Sequence, residues 1–245
     1  MPASATPKPL TYKRVLLKLS GEALMGTQGY GIDPAVVTRL SLEVKDLVSD
    51  GLEVALVVGG GNIYRGLQGA AKGMDRATGD YMGMLATVMN ALAVQNGLGE
   101  AGVPARVLSA ISMPTVCETY VRPKALHHLS QKRVVIFAAG TGNPFFTTDT
   151  TAALRAAEMN CQAILMAKQG VDGIYSADPK KDPKAVHYDR LTYAEVFARN
   201  LKVMDGAAIA LARDNDIPVI VFSIDQPGNI KRVLAGQVRS TIVTG

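Results

Sequence analysis

Cysteine is almost missing from this chain. Cys117 and Cys161 are the only two, and neither lies at a metal-ligand spacing. A disulfide scaffold and a thiolate metal site are thereby excluded, and two reduced thiols in a cytoplasmic protein are expected. Long apolar runs are lacking too. None approaches the roughly 20 residues that span a bilayer, so no membrane segment is expected. The first residues carry Pro, Lys and Thr without an apolar signal core. Residues 1–11 read as a disordered tail ahead of one domain over 12–245. The net charge is only +5, and Lys and Arg form no long block. That speaks against a nucleic-acid partner and suits anionic small-molecule ligands.

Several nucleotide and metal signatures are also absent. There is no Gly-x-x-x-x-Gly-Lys-Ser/Thr, no Gly-x-Gly-x-x-Gly, no set of eukaryotic protein-kinase motifs and no His-Glu-x-x-His. The three histidines, His127, His128 and His187, stand in polar contexts and read as surface or structural groups.

What is present is an alternation of short apolar runs and helical periodicity. Strands are expected at 15–19, 54–58, 106–108, 134–139, 163–167, 218–222 and 240–243. Helices are expected from Asp33-Pro34 to Gly51, then at 78–100, 123–131, 150–159, 192–199 and 206–214, with a short one after 222. In the long 78–100 helix, Met82, Leu85, Met89, Leu92 and Val94 serve as apolar markers. A βα series without repeats predicts a three-layer α/β/α sandwich on a mainly parallel sheet. The irregular stretch 169–188 would form a second lobe or lid, giving two lobes that meet near 165–170 without a clean domain boundary.

Three strand ends carry chemistry. The first is Lys18-Leu19-Ser20-Gly21. A lysine in an apolar strand is costly unless its ammonium reaches an anion or water. Lys18 is therefore a charge for a transferring phosphate or an edge-strand lysine reaching solvent. The second is Gly59-Gly60-Gly61-Asn62 followed by Arg65, where bare backbone and a guanidinium can meet phosphate oxygens. The third is Thr141-Gly142-Asn143-Pro144-Phe145-Phe146-Thr147-Thr148-Asp149. Its hydroxyls and amide can read a polar ligand, and its two phenylalanines can wall a pocket. Asp149 is either a plain N-cap or the group that orients lysine ammoniums. Asp80 and Asp172 are further carboxylates, able to hold a ribose hydroxyl or a lysine, or to face water. Cations and N–H groups around an anion are what phosphoryl transfer requires.

These segments, with Val171-Asp172-Gly173-Ile174-Tyr175 and Ala177-Asp178-Pro179, occur in the order found in one family. Over residues 12–244 the chain resembles the bacterial uridylate kinases of the amino acid kinase superfamily. The Thr141–Asp149 loop and Gly79-Asp80-Tyr81-Met82-Gly83-Met84-Leu85-Ala86-Thr87 are the most specific parts of that likeness. The resemblance implies transfer of the ATP γ-phosphate to UMP, giving UDP in pyrimidine nucleotide biosynthesis, with Mg2+ arriving on ATP. It assigns Lys18, Leu19, Ser20, Gly21, Gly61, Arg65, Gln169, Tyr175 and Asp178 to ATP, with Gln169 standing where relatives often carry Thr or Asn. Gly60, Asp80 and Thr141 to Thr148 fall to UMP, and Lys18, Arg65 and Asp149 to catalysis. It further implies a homohexamer with GTP as activator and UTP as inhibitor. The effector would be met by Gly26, Thr27, Gln28, Gly29, Tyr30 and Gly31 with Arg106 and Arg133. Gln95, Gly99 and Arg122 occupy positions expected for other effector-binding groups. Two alternatives remain: a kinase for a small acid, which would call for an arginine clamp in the threonine loop, and a catalytically silent nucleotide-binding module.

Overall fold

The computed structural model describes residues 12–64, 73–201 and 203–245. Nine strands among them form one sheet in the order β4-β3-β5-β2-β1-β6-β10-β11-β9. The ranges are β1 (Arg14–Leu19), β2 (Glu53–Val58), β3 (Ala105–Ser109), β4 (Glu118–Thr119), β5 (Val134–Ala138), β6 (Ile164–Lys168), β9 (Arg190–Thr192), β10 (Val219–Ser223) and β11 (Ser240–Thr244). Neighbours pair in parallel except β10 with β11, so β11 and β9 run against the other seven. The mainly parallel sheet expected from the βα alternation is present, with an antiparallel return at one edge.

Helices cover both faces. One core layer packs α1 (Pro34–Ser49), α2 (Arg76–Glu100) and α7 (Asn229–Leu234) against Val15, Leu17 and Leu19 of β1. The other packs α3 (Arg122–Ser130), α4 (Thr148–Glu158), α5 (Tyr193–Ala198) and α6 (Gly206–Asp214) against Leu16. Strands buried on both faces read as unbroken apolar runs, which is why 54–58 and 134–138 carry no alternation.

Local chemistry starts two of the helices where the sequence marks them. The Asp33 side chain accepts from the Ala35 N–H and Pro34 takes the first helical position. Thr192 and Glu195 form a reciprocal capping box on α5. The 169–188 stretch is more ordered than its sequence suggests: β7 (Ile174–Tyr175) and β8 (His187–Tyr188) make a separate two-stranded antiparallel sheet. A 3-10 turn at Gly21–Leu24, not foreseen, follows β1. His128 is buried, as is the ring of His187, so two of the three histidines are structural rather than surface groups.

The apolar markers of α2 are corrected by the structure. Leu85 and Met89 are 50% and 55% exposed, and Tyr81 and Met82 are exposed as well. The face turned inward is built from Gly79, Met84, Thr87, Asn90, Ala91, Val94 and Gly97. Small and polar residues let this helix approach the sheet and its loops closely, while Met84, Val88, Val94 and Leu98 fill the core and Tyr81, Met82, Leu85 and Met89 face outward.

Candidate active site

The order β5-β2-β1-β6-β10 places the C-terminal ends of these parallel strands side by side. The chain reverses direction of growth across β1, the position where open α/β sheets collect ligands. Lys18 lies at that point. It is 7% exposed and sits in a central strand, so the edge-strand explanation falls.

Strand pleating aims Lys18. Residues 15, 17 and 19 point into the α1–α2 layer and Leu16 into the α4 layer. Lys18 shares the parity of Leu16 and therefore faces α4. There its ammonium meets Asp149 Oδ1 at 2.6 Å. Asp149 is not the cap of its helix. Thr147 is: its Oγ1 accepts from the N–H groups of Asp149 and Thr150. The helix starts at Thr148, two residues earlier than the sequence suggests, and this frees the Asp149 carboxylate for the lysine.

A second lysine joins them, one that motif reasoning passed over. Lys168 ends β6 with the parity of Ile164 and Met166, on the α4 side, and its ammonium donates to the Val203 carbonyl at 3.1 Å. Burial pushes its pKa down, the Lys18 charge pushes the same way, and Asp149 opposes both. The signal was available: Lys168 closes an apolar strand as Lys18 does.

The glycine segments interlock. A Cβ on Gly21 would meet Asn62 Oδ1 at 2.4 Å and the Gly59 carbonyl at 2.6 Å; one on Gly60 would meet the Gly83 carbonyl at 2.7 Å. Only bare backbone fits at either position. Beneath them a buried amide pair is unforeseen by sequence. Asn90 Nδ2 donates to Asn62 Oδ1 at 2.7 Å and to the Gly59 carbonyl at 2.6 Å. Asn62 Nδ2 returns a bond to Asn90 and reaches the Gly31 carbonyl at 2.8 Å. Arg65 lies outside the described residues.

The threonine loop walls a cleft of about 140 Å³, lined by Gly60, Asp80, Thr141, Asn143, Phe146, Thr147 and Thr148 together with Gly83 and Thr87 of α2. Asp80 pairs with Arg76 at 2.8 Å and accepts the Phe145 N–H at 2.8 Å. Gly142 packs against Ala110, and Phe145 is exposed. Thr147 donates from its hydroxyl to Asp205, and Thr150 adds bonds of 2.9 and 3.0 Å to the same carboxylate. Asp205 also caps α6 through the Ala208 N–H. Burial raises its pKa, but the bonds from Thr147, Ala208 and Thr150 outweigh it and hold the carboxyl below its ordinary range.

Across Lys168 opens a larger cleft of about 460 Å³, where Gln169, Tyr175 and Asp178 come together beside Asn200 and Leu201. Asp172, left open by sequence, accepts from the Tyr175 hydroxyl at 2.6 Å and approaches Arg239 at 4.0 Å.

The expected effector residues divide. Gly31 is held on both sides by Asn62, which donates to its carbonyl and accepts its N–H. Arg106 and Arg133 belong to another network: Arg106 faces Glu118 at 3.5 Å, Glu118 meets His128 at 3.0 Å, and Arg133 meets the other ring nitrogen of His128 at 3.2 Å.

Residues 13–223 match the model of the amino acid kinase family. The uridylate kinase of Ruegeria sp. (strain TM1040) is 59% identical, covering 96% of this chain and 95% of that protein. That of Paramagnetospirillum magneticum is 60% identical, over 95% and 96%. Among solved structures, the UMP kinase of Ureaplasma parvum superposes with a TM-score of 0.92 at 40% identity, covering 95% of this chain and 99% of that one. The UMP kinase of Bacillus anthracis gives 0.91 at 42%, over 95% and 96%. The chain thus belongs to the amino acid kinase family, in its uridylate kinase branch.

Proposed function

We propose that the protein transfers the γ-phosphate of ATP to UMP, forming UDP and ADP. The observation that carries this is the Lys18–Asp149 pair with Lys168 close enough to feel both charges: Asp149 follows Thr148, which lines the threonine-walled cleft, and Lys168 lines the larger one with Tyr175 and Asp178. UMP takes the first cleft, where Gly60, Asp80 and Thr141 to Thr148 contact it. ATP takes the second, its adenosine at Gln169, Tyr175 and Asp178 and its phosphates along Lys18 to Gly21, Gly61 and Arg65. The two clefts belong to the acceptor-side and ATP-side lobes of one domain, which meet at β6.

In the reaction a phosphate oxygen of UMP attacks the γ-phosphorus as its bond to the β,γ-bridging oxygen breaks, and ADP departs with that electron pair. A phosphate acceptor is already ionised near neutral pH, so no general base is needed; positioning and charge stabilisation suffice. Lys18 and Lys168 place fixed positive charge where negative charge spreads over the moving group. Asp149 holds Lys18 in place. Magnesium carried by ATP needs only one or two protein carboxylates, and Asp149 fits that role; bound there, the ion would neutralise phosphate charge.

The loop chemistry favours UMP over a carboxylate acceptor. Threonine hydroxyls, an asparagine amide and backbone line the acceptor cleft, with no arginine among its described lining residues. A silent binding module has no use for two lysines brought together at a cost in burial. ADP release with UMP, CMP, acetylglutamate or carbamate as acceptor tests the reading: turnover is expected with UMP, and its absence would overturn it.

The exposed stripe of Tyr81, Met82, Leu85 and Met89 supports self-association, up to the family's hexamer. A GTP phosphate would compete with Glu118 for Arg106 near Arg133, and Gly26 to Gly31 would relay the effect through Asn62 to the glycine loop; UTP would inhibit at the UMP cleft. No helix of the described residues is long and apolar enough to cross a membrane, which agrees with a cytoplasmic place.

A further inference from the structure

We propose that Thr87 is a positioning residue for the acceptor loop, setting UMP affinity through the backbone of Ala139. This deepens the UMP reading and rests on it.

Two residues of the segment 139–148 other than glycine hold left-handed backbone: Ala139 with φ 58° and Phe145 with φ 72°. A Cβ makes that conformation unfavourable, so surroundings must impose it. Both are tied to one helix. The Phe145 N–H donates to Asp80 Oδ2 at 2.8 Å, and the Ala139 N–H donates to Thr87 Oγ1 at 2.8 Å. Asp80 and Thr87 stand seven residues apart on α2, two turns along the same face. The Thr87 hydroxyl is itself committed, donating to the Met84 carbonyl at 2.6 Å, which leaves its lone pairs aimed at Ala139. Thr87 is 4% exposed and Ala139 is fully buried, so water cannot replace this bond.

The same turn of α2 also touches the glycine loop. A Cβ on Gly60 would lie 2.9 Å from the Ala86 side chain and 3.2 Å from the Thr87 N–H. Thr87 lines the acceptor cleft and not the larger one. It therefore fixes the start of the UMP loop, as Asp80 fixes its middle.

Removing the hydroxyl leaves a buried N–H without a partner and lets Ala139 relax toward ordinary backbone. In Thr87→Val the KM for UMP should rise by about tenfold or more, while the KM for ATP stays within about twofold. Thr87→Ser keeps the hydroxyl and should restore the UMP value to within about threefold of the parent. Equal rises in both KM values, an unchanged UMP value, or a serine variant as poor as valine would overturn the proposal. Thr87→Ala carries the same expectation if the valine variant does not fold. Amide exchange at 139–145, read without substrate, separates this claim from the UMP reading. Exchange should quicken in the variant lacking the hydroxyl even if UMP proves not to be the acceptor, and an unaltered pattern would refute the Thr87 hold.

Discussion

Two lysines share one small volume, and each pays differently for being there. Lys18 has Asp149 at 2.6 Å, whereas Lys168, among the described residues, has the Val203 carbonyl as its near acceptor. With its pKa pushed down by burial and by Lys18, Lys168 in the folded protein binds fewer protons than in the unfolded chain over the window between its folded and unfolded pKa values. Stability therefore rises with pH through that window, and below it the buried charge costs stability. Lys168→Met should melt higher than the parent at neutral pH and lose activity. Its activity should not return on raising the pH, whereas Lys168→Arg should push the alkaline limb of the pH–rate profile upward, because a guanidinium stays protonated. For Lys18→Ala, kcat should fall by on the order of 10²-fold or more; an unchanged kcat would remove Lys18 from the mechanism. Lys18 could be picked from sequence because a glycine loop follows it. Lys168 also closes an apolar strand, but its nearness to Lys18 showed only once β6 was seen beside β1.

At the scale of elements, α2 does the most. Its inner face holds Asp80, Thr87 and Asn90, each bonded to a ligand loop, and its outer face carries Leu85 and Met89. Replacing both outer residues with glutamate should leave the monomer folded and reduce the assembly seen by light scattering; an unchanged mass would place any interface elsewhere. A periodicity rule reads both faces of such a helix as candidates, and here Met82, Leu85 and Met89 proved to be outer while Met84, Val94 and Leu98 turned inward. A different element contact is sensitive to pH. Glu43 of α1 is buried against the start of α7, facing the Ile230 and Gly228 N–H groups with Arg39 and Arg232 nearby, and burial raises its pKa. A raised carboxyl contributes stability while protonated and loses it as pH climbs through the folded value. Glu43→Gln should therefore gain in melting temperature relative to the parent as pH increases above the ordinary glutamate range, and a difference independent of pH would refute this.

For the whole molecule, the acceptor cleft of about 140 Å³ is below the few hundred Å³ typical of ligand sites. If UMP takes this cleft as proposed, its entry should move the 141–147 segment outward, and bound UMP should slow amide exchange there. At a UMP concentration about 100 times its Kd, stability should increase by about 2.7 kcal/mol. For a domain of this size that corresponds to roughly 5–10 °C in melting temperature; no shift would contradict a UMP site. Asp205 ties two helices together, capping α6 while holding Thr147 and Thr150 at the start of α4.

The amino-acid sequence by itself determined the layered α/β architecture, the glycine and threonine loops and the family, because apolar runs, caps and close-packed glycines are local demands that residues express in order along the chain. Tertiary structure alone decided what those loops are bolted to. The partnership of Lys168 with Lys18, the Asn62–Asn90 amide pair, the Asp205 latch and the Thr87–Ala139 bond each join residues at least 28 positions apart. Their energies come from desolvation and from satisfying buried polar groups, which exist only once the sheet has set strand order. The threonine loop is legible as a polar turn, but its shape is set by a helix more than fifty residues upstream.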